Sequence, residues 1–306
     1  MKLTLAENFR ALFYTPFYAI AALGAYEAEG LDVEMISPSG AGEANKLLAA
    51  GGAQVSWGGP MRLMLALDND PSSKTVAFCE VVGRDPFFLV GRTPNAKFQM
   101  KDLIGKTVAT VSEVPTPWVC LQHDLRTAGI DPGSIRRSPQ RSMGENAAAL
   151  RAGEVDVIQV FHPFARTLVD EGAAHLWYAA ASRGLACYTT FNTTRGFIEE
   201  HPDLVLGMTR ATYRMQKWIA AHDGADLAAL VRSYLPDIPE TVLAACFNEY
   251  KATEVWSRRP VVQRGGIEYK HEAMLASGMI KGRRAYEDYV DARFAEQVVR
   301  EDPRSI

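Results

Sequence analysis

The sequence predicts an α/β fold of mostly parallel sheets with helices on both faces, continued by a helical C-terminal region. Three observations carry this. Short apolar runs alternate with helical stretches up to about residue 180, a βαβα rhythm. Prolines repeatedly open a helix just after a strand or turn. Beyond about residue 195 the strands stop and long amphipathic segments take over.

The expected strands are 3–9, 31–37, 54–57, 75–81, 87–91, 107–111, 155–161 and 175–180. Most are rich in Val, Ile, Leu or Phe and are bounded by Gly, Pro or Ser. Between them the spacing predicts helices at 16–28, 42–50, 60–68, 117–128, 143–152 and 163–171. Gly51-Gly52 and Gly129 suit helix C-termini, where a left-handed residue is needed. Ser142 with Glu145 reads as a capping box. Later, 202–222 carries Leu204, Val205, Met208, Ala211, Tyr213, Met215 and Ile219 on one apolar stripe. That tail is expected to pack on the first α/β unit, since it could not easily form a core alone.

The chain has 306 residues, 47 % of them apolar and 23 % charged, as in ordinary globular proteins of one large or two medium domains. A net charge of -3 and the lack of a long basic run exclude nucleic acid as an expected partner. No apolar stretch approaches the roughly 18 residues of a membrane span. The apolar segment from Phe13 to Leu23 is short, is interrupted by Pro16 and lacks the features of a signal peptide. The expected location is therefore periplasmic if a leader was removed, and otherwise cytoplasmic. Cys79, Cys120, Cys187 and Cys246 form no CxxC pair, so neither a metal nor another cofactor is expected.

Four dipeptides place a proline at a helix start: Thr15-Pro16, Gly59-Pro60, Thr116-Pro117 and His162-Pro163. In open parallel sheets, ligands bind beyond the carboxyl ends of the strands. Helix N-termini there offer unpaired N–H groups and a positive partial charge. The candidate ligand-binding residues are Arg10, Tyr14, Thr15, Ser39, Trp57, Gly58, Gly59, Ser112, Glu113, Thr116, Trp118, Phe161, His162 and Tyr188. Trp57, Trp118 and Phe161 are either walls for a planar ligand or core residues at helix–sheet joints. Glu113 and His162 could act as acid–base groups. For Glu113 a ligand contact or a lobe-closing contact is preferred, and for His162 a capping or core-edge role. Arg10, Arg84 and Arg92 are candidates for an anion or for surface ion pairs.

The run Phe13-Tyr14-Thr15-Pro16-Phe17-Tyr18-Ala19, then Gly24-Ala25-Tyr26 and Glu29-Gly30-Leu31-Asp32-Val33-Glu34, resembles the NMT1/THI5-like family. So do Ala49-Ala50-Gly51-Gly52-Ala53-Gln54-Val55-Ser56, Leu103-Ile104-Gly105-Lys106-Thr107-Val108-Ala109, Leu150-Arg151-Ala152-Gly153-Glu154-Val155-Asp156 and Phe197-Ile198-Glu199-Glu200-His201-Pro202-Asp203. These matches run in order over roughly residues 5–220.

The resemblance implies a two-lobed type II periplasmic-binding-protein fold. One lobe would hold 1–87 plus 190–306 and the other 88–189, with a small molecule bound between them by hinge closure. It implies a solute-binding protein of an ABC-type importer, with an ABC permease as partner. The ligand would be small, aromatic, heteroaromatic or anionic, such as a thiamine-pyrimidine precursor. Two departures count against the family's pyrimidine synthases: the first histidine is His123, and no CCCFC motif is present. The alternatives are an enzyme on the same fold, using Glu113, His162 and Cys187, and a ligand sensor with no transport partner.

Overall fold

The computed structural model describes residues 2–38, 40 and 42–306; the candidate Ser39 lies outside the described residues. The chain divides into two compact units. Unit 1 comprises Met1–Arg84, Leu185–His271 and Ile280–Ile306, and unit 2 comprises Asp85–Gly184 and Glu272–Met279.

Unit 1 begins with β1 (Lys2–Ala6), which leads through α1 (Thr15–Ala22) and α2 (Ala25–Ala28) to β2 (Asp32–Ile36). The chain continues through α3 (Glu43–Ala49) to β3 (Val55–Gly58), and through α4 (Met61–Asn69) to β4 (Thr75–Val82). β1 pairs in parallel with both β2 and β3. The single helix expected over 16–28 is broken at Gly24, whose φ of +65° lies in the left-handed region that only glycine enters cheaply. Pro16 stands in the first turn of α1 and Pro60 caps α4, so each helix starts where the sequence places it.

Unit 2 contains β5 (Phe88–Gly91), β6 (Thr107–Ala109), α5 (Thr116–Thr127), β7 (Arg136–Arg137), α6 (Met143–Ala152), β8 (Val157–Val160), α7 (Phe164–Asp170) and β9 (His175–Ala179). Its sheet has the order β7-β6-β8-β5-β9. β6 is parallel to its neighbours, whereas β5 runs antiparallel to β8 and β9. Leu89, Val108, Leu121, Leu125 and Val157 form a buried core between this sheet and α5, against which Trp118 packs. The Ser142–Glu145 capping box is present in full at the start of α6.

The chain then adds β10 (Thr189–Thr194), α8 (Arg195–Glu200), α9 (Pro202–Ala221), α10 (Gly224–Leu230) and α11 (Glu240–Ala252). α12 (Arg264–Ala276), α13 (Tyr286–Tyr289) and α14 (Arg293–Glu301) complete it. β10 was not expected. It inserts antiparallel between β3 and β4, giving the sheet order β2-β1-β3-β10-β4. Its sequence, Thr-Thr-Phe-Asn-Thr-Thr, is nearly all polar, yet its first five residues are buried. The polar atoms are accommodated locally: Thr190 Oγ1 donates to Asn192 Oδ1 at 2.7 Å, and Thr193 Oγ1 to the Gln54 carbonyl at 2.7 Å. Both sheets are therefore mixed, each with one antiparallel strand and helices around it. The stripe on α9 is buried at Val205, Met208, Ala211, Tyr213, Met215 and Ile219, and α9 packs on α1, α2, α14 and β4. No described helix is long and apolar enough to cross a membrane.

Candidate functional site

In unit 1 the candidates gather where β1 and β3 end. Glu7 and Asn8 follow β1 directly and are both 4 % exposed. Glu7 accepts hydrogen bonds from Arg10 Nη2 at 2.9 Å, from the Tyr18 hydroxyl at 3.1 Å and from the Ser37 hydroxyl. Arg10 also donates to the Tyr234 carbonyl at 2.8 Å and lies 5.1 Å from the Tyr18 ring centroid. Its charge is thus already balanced. Asn8 donates to the Tyr14 hydroxyl at 3.1 Å and accepts from the Gly42 N–H at 3.0 Å, joining α1 to α3. Burial pushes the Tyr14 phenol up to about 12, so it stays neutral.

The other unit 1 candidates sit deeper. Thr15 is fully buried, and its hydroxyl has no hydrogen-bond partner among the described residues. Trp57 is also fully buried, stacked on Phe17 with centroids 4.6 Å apart and flanked edge-on by Tyr14 and Tyr18. Its indole N–H likewise has no partner among the described residues. The Gly58 carbonyl faces the Asn192 amide and the Thr190 hydroxyl, each at 3.4 Å. Gly59 lies so near the Tyr188 carbonyl that a β-carbon would stand 3.1 Å from it. Tyr188 meets Phe13 edge-on and has the Lys270 ammonium 5.0 Å from its ring centroid.

One residue that sequence reasoning missed changes the electrostatics of this site. Arg62, in the first turn of α4, is half-buried beside Tyr14 and against the backbone of Gly42. No described carboxylate pairs with it. Desolvation lowers its pKa and the Tyr14 phenol opposes that; the group nevertheless remains a cation at neutral pH. A half-dry guanidinium without a counter-ion is a ready site for a carboxylate, sulfonate or phosphate. The available signal was its position, two residues after the helix-opening Pro60 at the end of β3.

In unit 2 the candidates split into two groups. Trp118 is half-buried on the core, with the Arg137 guanidinium 4.2 Å from its ring. Arg137 Nη2 also donates to Thr110 Oγ1 at 2.8 Å, and no described carboxylate pairs with it. Ser112 is exposed, and its N–H is held by the Arg141 carbonyl at 3.0 Å. Glu113 accepts from the Met143 N–H at 2.8 Å, so its carboxylate serves the first turn of α6. Thr116 opens α5 and is half-buried. Phe161 and His162 are buried at the end of β8, edge-on to Phe87 and 4.6 Å from the Phe88 ring respectively. Arg92 spends its donors on the Gly153 carbonyl and Asp156.

The residues considered for catalysis belong to different units: Glu113 and His162 to unit 2, Cys187 to unit 1. Burial pushes the Cys187 thiol well above its usual range, and the Glu80 carboxyl adds to that. A thiol so held supplies little thiolate, the nucleophilic form. Among the described residues no His, Cys, Asp and Glu groups are arranged to hold a metal ion.

Two α/β units with mixed sheets, each carrying polar and aromatic groups at its strand ends, define the periplasmic-binding-protein fold class. The chain belongs to the NMT1/THI5-like family, whose model matches residues 13–225, in agreement with the motif resemblance. A curated relative is "Putative binding protein YtlA" of Bacillus subtilis (strain 168), 24 % identical over 98 % of this chain and 90 % of that one. Among solved structures, the periplasmic aliphatic sulphonate binding protein SsuA of Escherichia coli is similar at a TM-score of 0.77 and 12 % identity, covering 94 % of this chain and 97 % of the other. The desulfurization enzyme DSZB is similar at 0.71 and 15 % identity, covering 99 % of each chain.

Proposed function

We propose that the protein is a solute-binding protein of an ABC-type importer, and that its solute is a small organic anion. The carrying observation is Arg62, a half-buried guanidinium at the carboxyl end of β3 with no described carboxylate beside it. Asn8, Tyr14, Gly59 and Tyr188 surround the same strand ends and supply polar and aromatic contacts. Family membership and the binding proteins among its relatives support the class. The sulfonate ligand named for the Escherichia coli protein supports an oxyanion head over the neutral pyrimidine of a thiamine precursor.

The role places the protein outside the cytoplasmic membrane with a permease as partner, which cell fractionation tests. The ligand is tested by calorimetry with ethanesulfonate, benzenesulfonate and 4-amino-5-hydroxymethyl-2-methylpyrimidine. A sulfonate should bind, and Arg62→Ala should weaken it by about tenfold or more, the scale of one charge-assisted contact. Binding of the pyrimidine alone, or equal sulfonate affinity in Arg62→Ala, would overturn the anion reading.

A further inference from the structure

Unit 1 holds a pocket of about 240 Å³ that shares no lining residue with the strand-end site. Arg84, Arg258 and Arg259 supply three guanidinium groups, and Leu185 and Trp256 supply apolar wall. Leu185 is 43 % exposed, one of few large apolar side chains left so open.

The charge there is not balanced. Glu254 pairs with Arg84 at 2.5 Å and with Arg258 at 3.2 Å, while Arg259 makes no ion pair among the described residues and has only the field of Asp302, whose carboxylate is itself paired with Lys217 at 2.7 Å. Glu254 follows α11 with φ +53°, a left-handed conformation that is unfavourable for a side-chain-bearing residue and is commonly left to glycine. The chain keeps an acid there, and that acid spaces two of the guanidinium groups. The remaining acid, Glu80, is 1 % exposed. Its oxygens accept from Ser257 Oγ at 2.8 Å and from the Gln263 N–H at 3.3 Å, so the carboxyl is turned to its own partners.

We propose that this pocket is a second ligand site, for a compact organic anion with one oxyanion head and a short apolar or aromatic body. The head rests on Arg258 and Arg259, where positive charge is in excess, and the body on Trp256 and Leu185. The volume falls below the roughly 300–1,000 Å³ of drug-sized sites and suits a ligand on the scale of benzoate. The site is independent of the solute proposed above, because Arg62 takes no part in it.

The test is a benzoate titration of the full chain, followed by NMR at the Trp256 indole N–H, which donates to the Phe13 carbonyl at 3.0 Å. A saturable shift is expected. The double variant Arg258→Ala, Arg259→Ala should weaken it about tenfold or more. Leu185→Trp should block it by filling the pocket, Arg62→Ala should leave it unchanged, and benzyl alcohol should bind at least about tenfold more weakly than benzoate. The proposal is overturned by no saturable shift up to about 10 mM, or by full affinity in the double arginine variant. Loss of the shift in Arg62→Ala alone would also overturn it, assigning benzoate to the strand-end site.

Discussion

Gly42 and Arg62 are in such close approach that a β-carbon at residue 42 would stand 2.4 Å from Arg62 Nη1. Gly42 also has φ +93°, and its N–H is held by Asn8. Glycine is therefore required twice, once by the backbone and once by the guanidinium. Gly42→Ala should displace the Arg62 head and weaken anion binding about tenfold, with a stability loss of about 1 kcal/mol from the left-handed conformation. Calorimetry beside urea unfolding separates the two effects. Undiminished affinity would mean that the guanidinium position does not matter for the ligand.

Trp118 gives a prediction for unit 2. Its ring rests on the core and beneath Arg137. Trp118→Ala should cost about 2 kcal/mol of stability, less than the 3–5 of a fully buried tryptophan because the ring is only half-buried. Trp118→Phe should retain most of it. An unchanged urea midpoint in the alanine variant would show that the ring adds nothing to the unit 2 core.

Arg183 is 6 % exposed at its side chain and ties Asp85 at 2.5 Å to Asp124, whose Oδ1 lies 3.1 Å from Arg183 Nε. Removing the shared cation strands two buried carboxylates. Arg183→Ala should lower unfolding free energy by about 3–5 kcal/mol, read from the urea midpoint. A loss below about 1 kcal/mol would show that the pair is solvated in practice.

Burial pushes the Glu80 carboxyl up to about 7, with hydrogen bonds from Ser257, Gln263 and Cys187 opposing the rise. The unfolded chain ionises this group near 4.5 while the folded chain still holds the proton. Stability should therefore fall as pH rises from about 4.5 to about 7 and level off above, by on the order of 3 kcal/mol. Glu80→Gln should remove that slope. Unfolding midpoints of both proteins at pH 5 and pH 8 check it, and identical pH profiles would exclude Glu80 as the source.

The fold was legible where local chemistry is strong. The strand runs, the helix-opening Pro16, Pro60 and Pro117, the left-handed Gly129 and the Ser142–Glu145 box all give the expected elements. β10 was not legible, because Thr189, Thr190, Asn192 and Thr193 carry the polar composition of a loop. Their burial depends on partners more than 100 residues distant, which no local pattern records. For the candidate site, the sequence marks positions at strand ends but not the interactions those residues make. Arg10 is one of three arginines that the sequence offers for an anion or a surface ion pair, and it forms the ion pair, with Glu7. Arg62 looked ordinary, and only the absence of any described carboxylate beside it distinguishes it.

The placement of β10 also sets an order of assembly during synthesis. Residues 88–179, an uninterrupted stretch, supply every strand of the unit 2 sheet, so that sheet can close as soon as they leave the ribosome. The unit 1 sheet cannot. β4 is made early but joins β3 only through β10, whose Thr190 pairs with Gly58 across 132 positions. A nascent chain stalled near residue 185 would thus carry one finished sheet and one with an unpaired edge, a target for chaperones until six more β residues emerge.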